Sequence, residues 1–338
     1  MSDRVDNWRP GCSLAVLRAR AAMLAAVRQF FGQRGYLEVE TPCLSRDVVV
    51  DAWLEPLCLR QADGDWYLQT SPEAFMKRLL AAGAGSIFQI SRVFRGGEFG
   101  ARHNPEFTML EWYGVGTDWR EQVQLTEQLV CAVVRAGCNS LRRPEPAWGD
   151  SSFALTTYQE AFQRELGLSV FSATDDDLLR AARERGVPVP DGPMMARDEL
   201  LNLLLGFCIE PALGQRVGVE RPEFLCDYPA TQAALAVTTT TEPRVARRFE
   251  LYIRGLELCN GYEELTDPAE LRRRDGEQNQ KRAASAGTAL PGASHLLRAM
   301  EWGLPACSGV ALGFDRLVMI AAGVQRMSDV VPFPADRC

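Results

Sequence analysis

The segment FELYIRGLELCNGYEEL (249–265) places Glu250, Glu257 and Glu264 seven residues apart in apolar surroundings. Carboxylates set among core residues need cationic partners, because an unpaired buried charge is costly. A single helix face would carry all three, but Arg254-Gly255 interrupts the run, and Gly disfavours a helix interior by about 1 kcal/mol. A strand–turn–strand reading fits better. With Arg254-Gly255 as the turn, Ile253 faces Leu256, Tyr252 faces Glu257 and Leu251 faces Leu258. Alternation then gives Phe249, Leu251, Ile253, Leu256 and Leu258 one face, and Glu250, Tyr252 and Glu257 the other. Diagonal neighbours in a sheet lie about 7–8 Å apart, so two glutamates could share one cation. The competing reading is a solvated polar face on an edge hairpin.

Arginines offer the complementary charge. FRGGEFGARHNPEF (94–107) combines Arg95, Arg102 and His103 with a glycine-rich turn. Glycine lets the backbone approach a phosphate, and Arg meets phosphate oxygens through a planar fork. GFDRLVM (313–319) sets Asp315-Arg316 at the start of an apolar helix, after the small-residue run SGVALG. TSPE (70–73) places polar groups at another helix start. Each has a plainer reading, as a charged hairpin loop or a helix cap. Together with the glutamates they suggest a nucleoside triphosphate with Mg²⁺. Magnesium prefers carboxylate and phosphate oxygens, and Arg stabilises charge on a reacting phosphoryl group.

These groups need elements to position them. Residues 13–31 read as an amphipathic helix capped by Ser13, with Leu14, Leu17, Ala21, Leu24, Val27 and Phe31 on one stripe and Gly32 or Gly35 at its end. YLEVETP (36–42) and WYLQT (66–70) read as strands, and a helix follows Ser71-Pro72 until Gly83 or Gly85. Residues 86–99 and 106–115 alternate as two strands joined by a long loop. A helix covers 118–136, a connector 142–151, and a mostly helical stretch 156–215. FLCDYPA (224–230) is a strand ahead of the hairpin. Helices near 267–285 and 294–302 flank the flexible SAGTALPG, and SGVALGFDRLVMIAAG (308–323) reads as a turn feeding an apolar helix. Local hairpins among helices predict an α+β fold, an antiparallel sheet flanked by helices. No GxGxxG or P-loop pattern occurs, which disfavours a Rossmann or P-loop nucleotide site.

The whole chain agrees. Its 338 residues, 46% hydrophobic, are ample for a sizeable core. A net charge of −7 with no basic block argues against nucleic acid as the main partner. Ten cysteines without a C-x-x-C pair, and only His103 and His295 as histidines, disfavour zinc and suit a reducing compartment. No apolar run reaches the roughly 18 residues of a membrane span. A cytoplasmic protein is expected.

EVETP (38–42), FRGGEFGARHNPEFTMLEWY (94–113) and GVALGFDRL (309–317) resemble motifs 1, 2 and 3 of the class II aminoacyl-tRNA synthetases. RHNPEFTMLEWY and ELCNGYEELTDP make the likeness greatest to the lysine enzyme, from about residue 14 to VVPFP (330–334). The resemblance implies one class II catalytic domain spanning 1–338, with a mainly helical insertion at about 142–220. Bacterial lysyl-tRNA synthetases carry an N-terminal anticodon-binding OB domain, and none is expected ahead of the motif 1 helix here. The pattern looks like the stand-alone paralogue family, the elongation factor P–lysine ligases. These use ATP and Mg²⁺ to activate (R)-β-lysine and transfer it to a lysine side chain of elongation factor P. The resemblance also implies a homodimer through motif 1. The alternatives are a truncated synthetase that charges tRNA and a non-catalytic regulatory paralogue. The expected lack of an OB domain disfavours the first, and the retained Arg95, Arg316 and glutamates disfavour the second.

By position, Arg95 resembles the α-phosphate arginine and Arg316 the arginine on the outer phosphates. Arg102 and His103 would lie near the β/γ-phosphates, Asn104 by the nucleotide, and Phe107 against adenine. Gly96, Gly97, Glu98, Glu257, Leu258 and Gly313 would complete the ATP contacts. Glu250 and Glu257 match the Mg²⁺-associated glutamates. Glu264 and Tyr113 match the residues on the distal ammonium of lysine. Ser71, Pro72, Glu73, Glu111, Asn260 and Ala311 would make the other amino-acid contacts, with Glu73 and Glu111 near the amino group of the reacting end. Two positions depart from the lysine enzyme. Its motif 2 often reads Arg-x-Glu, whereas here Gly97 takes that place and Glu98 follows. Its motif 3 usually has Gly where Ala311 stands, and the added methyl reshapes the pocket around the reacting end.

Overall fold

The computed structural model describes residues 8–148, 152–190, 195–215, 220–284 and 287–338. Parts of the expected connector (149–151) and of SAGTALPG (285–286) lie outside them. In chain order the elements are α1 (Leu14–Gly32), β1 (Leu37–Glu38), β2 (Leu44–Ser45), β3 (Cys58–Gln61), β4 (Gly64–Leu68), α2 (Glu73–Ala81), β5 (Ile87–Phe94), β6 (Glu106–Val115) and α3 (Trp119–Leu141). Then come β7 (Ala154–Thr157), α4 (Tyr158–Leu166), α5 (Asp175–Glu184), α6 (Arg197–Leu204), β8 (Glu223–Pro229), β9 (Val245–Ile253) and β10 (Leu256–Glu263). The chain closes with α7 (Pro268–Ala284), α8 (Ser294–Gly303), β11 (Cys307–Gly313) and α9 (Phe314–Ala322). It divides into two compact units, Met1–Pro146 with Leu265–Cys338, and Ala147–Glu264.

In the first unit the strands run β1-β5-β6-β11. β5, β6 and β11 are antiparallel, and the two-residue β1 lies parallel to β5 at the edge. The expected strand 36–42 is therefore cut to Leu37–Glu38. SGVALG is a strand and not the expected turn, because its backbone pairs with β6 from Cys307↔Val115 to Gly313↔Met109. One face of this sheet packs on helices: Phe31 of α1 stacks on Phe88 at 4.7 Å and leans on Trp112 at 5.4 Å. The other face carries Gln89, Ser91, Phe107, Met109, Glu111, Tyr113, Gly309, Ala311 and Gly313 by alternation.

Ser13 caps α1, accepting from Val16 N at 3.3 Å. Its buried stripe is Ala19, Arg20, Met23, Val27, Phe30 and Phe31, rotated from the expected one. Leu14 is 66% exposed, and of the expected stripe only Val27 and Phe31 are buried. The cause is Arg20, which donates to Asp315 Oδ1 of α9 and to Thr108 Oγ1 of β6 at 2.6 Å. Asp315 Oδ2 in turn accepts from Thr108 N at 2.6 Å, and Arg20 lies over the Phe314 ring.

In the second unit the strands run β10-β9-β8-β7, with β7 parallel to β8 and the others antiparallel. Tyr158 and Phe162 of α4, Leu178 of α5 and Leu200, Leu201 and Leu204 of α6 form one core with Leu225, Tyr228, Ala246 and Tyr252 of the strands. The expected helical stretch is confirmed in α4–α6, while β7 ahead of it was not anticipated. The hairpin turn is real: Arg254 (φ 53°) and Gly255 (φ 64°) are both left-handed, the geometry that matches strand twist in two-residue turns. Ile253↔Leu256 and Tyr252↔Glu257 pair as expected. A bulge between Glu257 and Cys259 then changes the register, so Leu251 faces Cys259 and not Leu258, and Glu250 faces Asn260. The pattern hid this because a bulge adds one residue without breaking the apolar run.

The buried Arg20–Asp315 pair predicts a non-additive stability effect. Arg20→Met alone should destabilise by about 3–5 kcal/mol, since it strands a buried carboxylate. Adding Asp315→Leu should recover much of the loss. Denaturant unfolding of the single and double variants measures this, and simple additivity would refute it.

Candidate active site

In the first unit, α2 begins after Pro72, and Ser71 sits between helix and sheet. Its Oγ accepts from Glu73 N at 3.0 Å and donates to Glu111 Oε2 at 2.8 Å. Tyr113 OH donates to Glu111 Oε1 at 2.7 Å, so both oxygens of this buried carboxylate are oriented by hydroxyls. Glu73 Oε1 accepts from Lys77 Nζ at 2.6 Å, one helical turn on, and Lys77 is only 2% exposed. Ser71, Glu73, Glu111 and Tyr113 are thus brought together, with Tyr113, expected by the distal ammonium, bonded to Glu111, expected by the reacting end. Beside them Gly309, Ala311 and Gly313 leave the site face of β11 low.

The β5–β6 loop holds the motif 2 residues. Arg95 lies over the Phe107 ring at 5.1 Å and 3.6 Å from Glu98, and its Nε is buried with no partner among the described residues. Gly97 has φ +76°, which only glycine adopts readily, and it turns the chain beside Arg95. Arg316 NH2 lies 3.0 Å from His103 Nε2. Burial, then the Arg316 charge, lower the His103 pKa, so the neutral imidazole accepts this bond. Asn104 has a structural engagement as well: it donates to Glu106 O at 2.6 Å and accepts from Ala335 N at 2.9 Å.

Distant segments brace this loop. Gly96 N donates to Glu55 O at 2.7 Å. Arg282 of α7, 2% exposed, clasps the same stretch by donating to Asp51 O, Leu54 O and Glu55 Oε2 at 3.1, 3.0 and 2.5 Å. Met327 N donates to Ala101 O at 2.7 Å on the far side.

In the second unit Glu250 is the centre of a buried network. Oε2 accepts from Tyr228 and Tyr252 at 2.6 Å each, and Oε1 from Arg248 at 2.5 Å and Asn260 at 3.0 Å. Burial, then the Glu250 charge, push both phenols well above their ordinary pKa and keep them as donors. Glu257 is half-buried on the same hairpin face as Tyr252. Glu264 is 3% exposed and bridges through its backbone to Ala236.

A family model for tRNA synthetases class II (D, K and N) matches residues 3–337. The chain belongs to this family. It is 44% identical over 344 residues to a protein of Erwinia tasmaniensis named elongation factor P–(R)-beta-lysine ligase, covering 100% of both chains. Proteins of the same name from Salmonella arizonae and Pectobacterium atrosepticum are 44% and 43% identical over 337 residues, with 98% of each chain covered. Among the described residues of this class II chain, no helix is long and apolar enough to cross a membrane.

The family implies magnesium, and the donors suit it in part. Among the described residues no three His, Cys, Asp or Glu converge as a metal cluster. That is compatible with a magnesium that takes most of its oxygens from phosphates and water. Glu257 fits such an ion. Glu250 has four donors on two oxygens, so a metal there must displace one of them.

Several residues of this site were not singled out from the sequence. Lys77 was findable, four residues after Glu73 on one helix face. Arg248 was findable too, two residues before Glu250 on one strand face. Arg282 and Asp275 carry no local signal, since what they meet is remote in sequence. Asp275 of α7 is held up to about pKa 6 by burial and by the Glu73 charge. The folded carboxyl therefore keeps its proton to higher pH than the unfolded one. It costs stability above about pH 6 and none below about pH 4. Asp275→Asn should raise Tm near pH 8, with the gain closing towards about pH 4 in thermal melts. An unchanged Tm near pH 8 would count against it.

Proposed function

We propose that this chain is an ATP-dependent, AMP-forming ligase that activates (R)-β-lysine and joins it to a lysine side chain of elongation factor P. The observation that carries the nucleotide half is Arg95, a guanidinium on a braced glycine turn with Nε unpaired. A buried N–H without an acceptor fits an oxyanion that arrives with the substrate. The amino-acid half rests on the Ser71–Glu111–Tyr113 cluster with Ala311 in its row, together with the names of the relatives.

The substrate carboxylate attacks the α-phosphorus of ATP, and the bond to pyrophosphate breaks. The lysine amine of the protein partner then attacks the adenylate carbonyl, loses a proton, and AMP departs. A carboxylate is already a competent nucleophile, so the first step needs positioning and charge stabilisation more than a base. Arg95 takes the α-phosphate, Arg316 and Arg102 the outer phosphates, with His103 orienting Arg316. Phe107 and Glu98 would face the adenine, and Glu257 would hold a magnesium ion, which would supply added positive charge to the triphosphate. Glu264 takes the distal ammonium. Two copies are expected to pair through α1 and β1, where Leu14 and Leu37 are 66% and 54% exposed.

Two variants test the assignment. Arg316→Ala should lower amino-acid-dependent ATP–pyrophosphate exchange about a hundredfold or more, and near-wild-type exchange would sink the reading. Glu264→Gln should weaken lysine-type substrates far more than ATP, because an ammonium would lose its charged partner. Equal losses in the two KM values would remove Glu264 from that role. Intact mass of elongation factor P after incubation with ATP and either lysine isomer reads out the transfer.

A further inference from the structure

One buried polar group on the site face is not engaged by anything so far described. Gln89 of β5 is 3% exposed, and its Oε1 has no hydrogen-bond partner among the described residues. It stands directly across from Glu111, and Glu111 directly across from Ala311, so the three form one row over three strands. In the next row Ser91 faces Met109, which faces Gly313, and Ser91 Oγ is likewise buried without a partner. Adjacent rows of β5 thus present two unpaired polar atoms on the face that carries Glu111.

A strand interior gains nothing from such atoms. Leaving a buried amide oxygen unpaired forfeits its hydration without recompense, and an apolar side chain of the same shape avoids that penalty. Unpaired groups that persist in a folded protein call for an explanation such as a ligand, an ion or a catalytic use. Here the surroundings select the ligand. Glu111 already accepts from the Ser71 and Tyr113 hydroxyls, which fixes its charge in place. Ala311 leaves only a methyl above β11 in the same row. A primary ammonium seated on this row meets a carboxylate for its charge and a neutral acceptor beside it, about one strand spacing of 4.8 Å away.

We propose that Gln89 is a specificity-determining residue whose amide oxygen accepts a hydrogen bond from the amino group of the amino-acid substrate. This rests on reading the row as the amino-acid subsite. A carboxylate attracts an ammonium from a broad range of positions, whereas a hydrogen bond demands a short, directed contact. Moving the amino group by one carbon shifts it by about 1.5 Å, enough to make or lose that contact. Gln89 therefore separates the β-amino from the α-amino isomer, while Glu111 and Glu73 supply attraction common to both.

The test uses the full-length protein and ATP–pyrophosphate exchange with (R)-β-lysine and with α-lysine. Gln89→Met removes the amide at similar length. Its Tm should equal or exceed that of the wild type, and KM for ATP should stay within about twofold. Its kcat/KM for (R)-β-lysine should fall about tenfold to a hundredfold, with a narrowed preference between the isomers. Gln89→Glu keeps an acceptor; a second buried carboxylate across from Glu111 should lower its Tm, but with the ammonium bound it should retain more of the affinity for the amine than Gln89→Met does. The proposal is overturned if Gln89→Met keeps both kcat/KM and isomer preference. It is also overturned if the Glu variant is as impaired as the Met variant, which would make the position merely structural. Absence of exchange with either isomer in the wild type would instead refute the proposed function, a separate outcome.

Discussion

The buried contact of Arg20 with Asp315 and Thr108 is the constraint on which the first unit depends. It joins the first helix, the central strand and the last helix, segments about as far apart in sequence as the unit allows. The strand on one side of it carries Phe107, Glu111 and Tyr113, and the next residue after Asp315 is Arg316. Buried ion pairs add little net stability compared with a well-packed apolar core, but they tolerate only one geometry. A register slip of one residue in β6 would turn Glu111 to the helix side and detach Thr108 from Asp315 together. The same contact therefore ties correct folding to correct placement of Arg316 and Glu111.

The motif 2 loop illustrates a second use of the same logic. It is a long hairpin connection rich in glycine, a composition that leaves many conformations open. Backbone bonds from Gly96 to Glu55 and from Met327 to Ala101, and the two-ended engagement of Asn104, remove most of that freedom. Arg282 carries the restraint on to α7, because it holds the stretch that in turn holds Gly96. A loop ordered before a ligand arrives spares the ordering entropy at binding, which suits the nucleotide role proposed for this one.

Much of this was legible in the sequence. The α+β fold, most helices, the β5–β6 hairpin and the Arg254-Gly255 turn follow from periodicity, caps and turn residues, which are local signals. The stripe of α1 was misplaced because an arginine belongs to the core there, and apolar periodicity cannot reveal a charge neutralised by Asp315. SGVALG looked like a turn because glycine and alanine dominate it, yet pairing along β6 decides the matter. The bulge at Glu257 is invisible for a similar reason, being a property of two strands together. In the candidate site, short motifs mark residues that the sequence alone can nominate, whereas residues whose meaning arises from register or remote packing, such as Gln89 and Arg282, carry no such mark.

The carboxylates of each unit share a feature that bears on selectivity. Glu111 is held by two hydroxyls, Glu73 by a buried lysine, and Glu250 by two tyrosines, an arginine and an asparagine. A carboxylate on a free side chain can follow an ammonium wherever it binds, and so discriminates weakly between similar amines. One whose oxygens are already committed cannot follow, and the substrate must bring its charge to the right place. Stabilisation from fixed dipoles and charges also requires little reorganisation as the reaction proceeds, which is where electrostatic catalysis gains its advantage over water. The donors around these carboxylates weaken their attraction for any cation but sharpen its positional dependence. For the proposed ligase, which would have to tell two lysine isomers apart by the place of one amino group, that exchange of affinity for position is the favourable one.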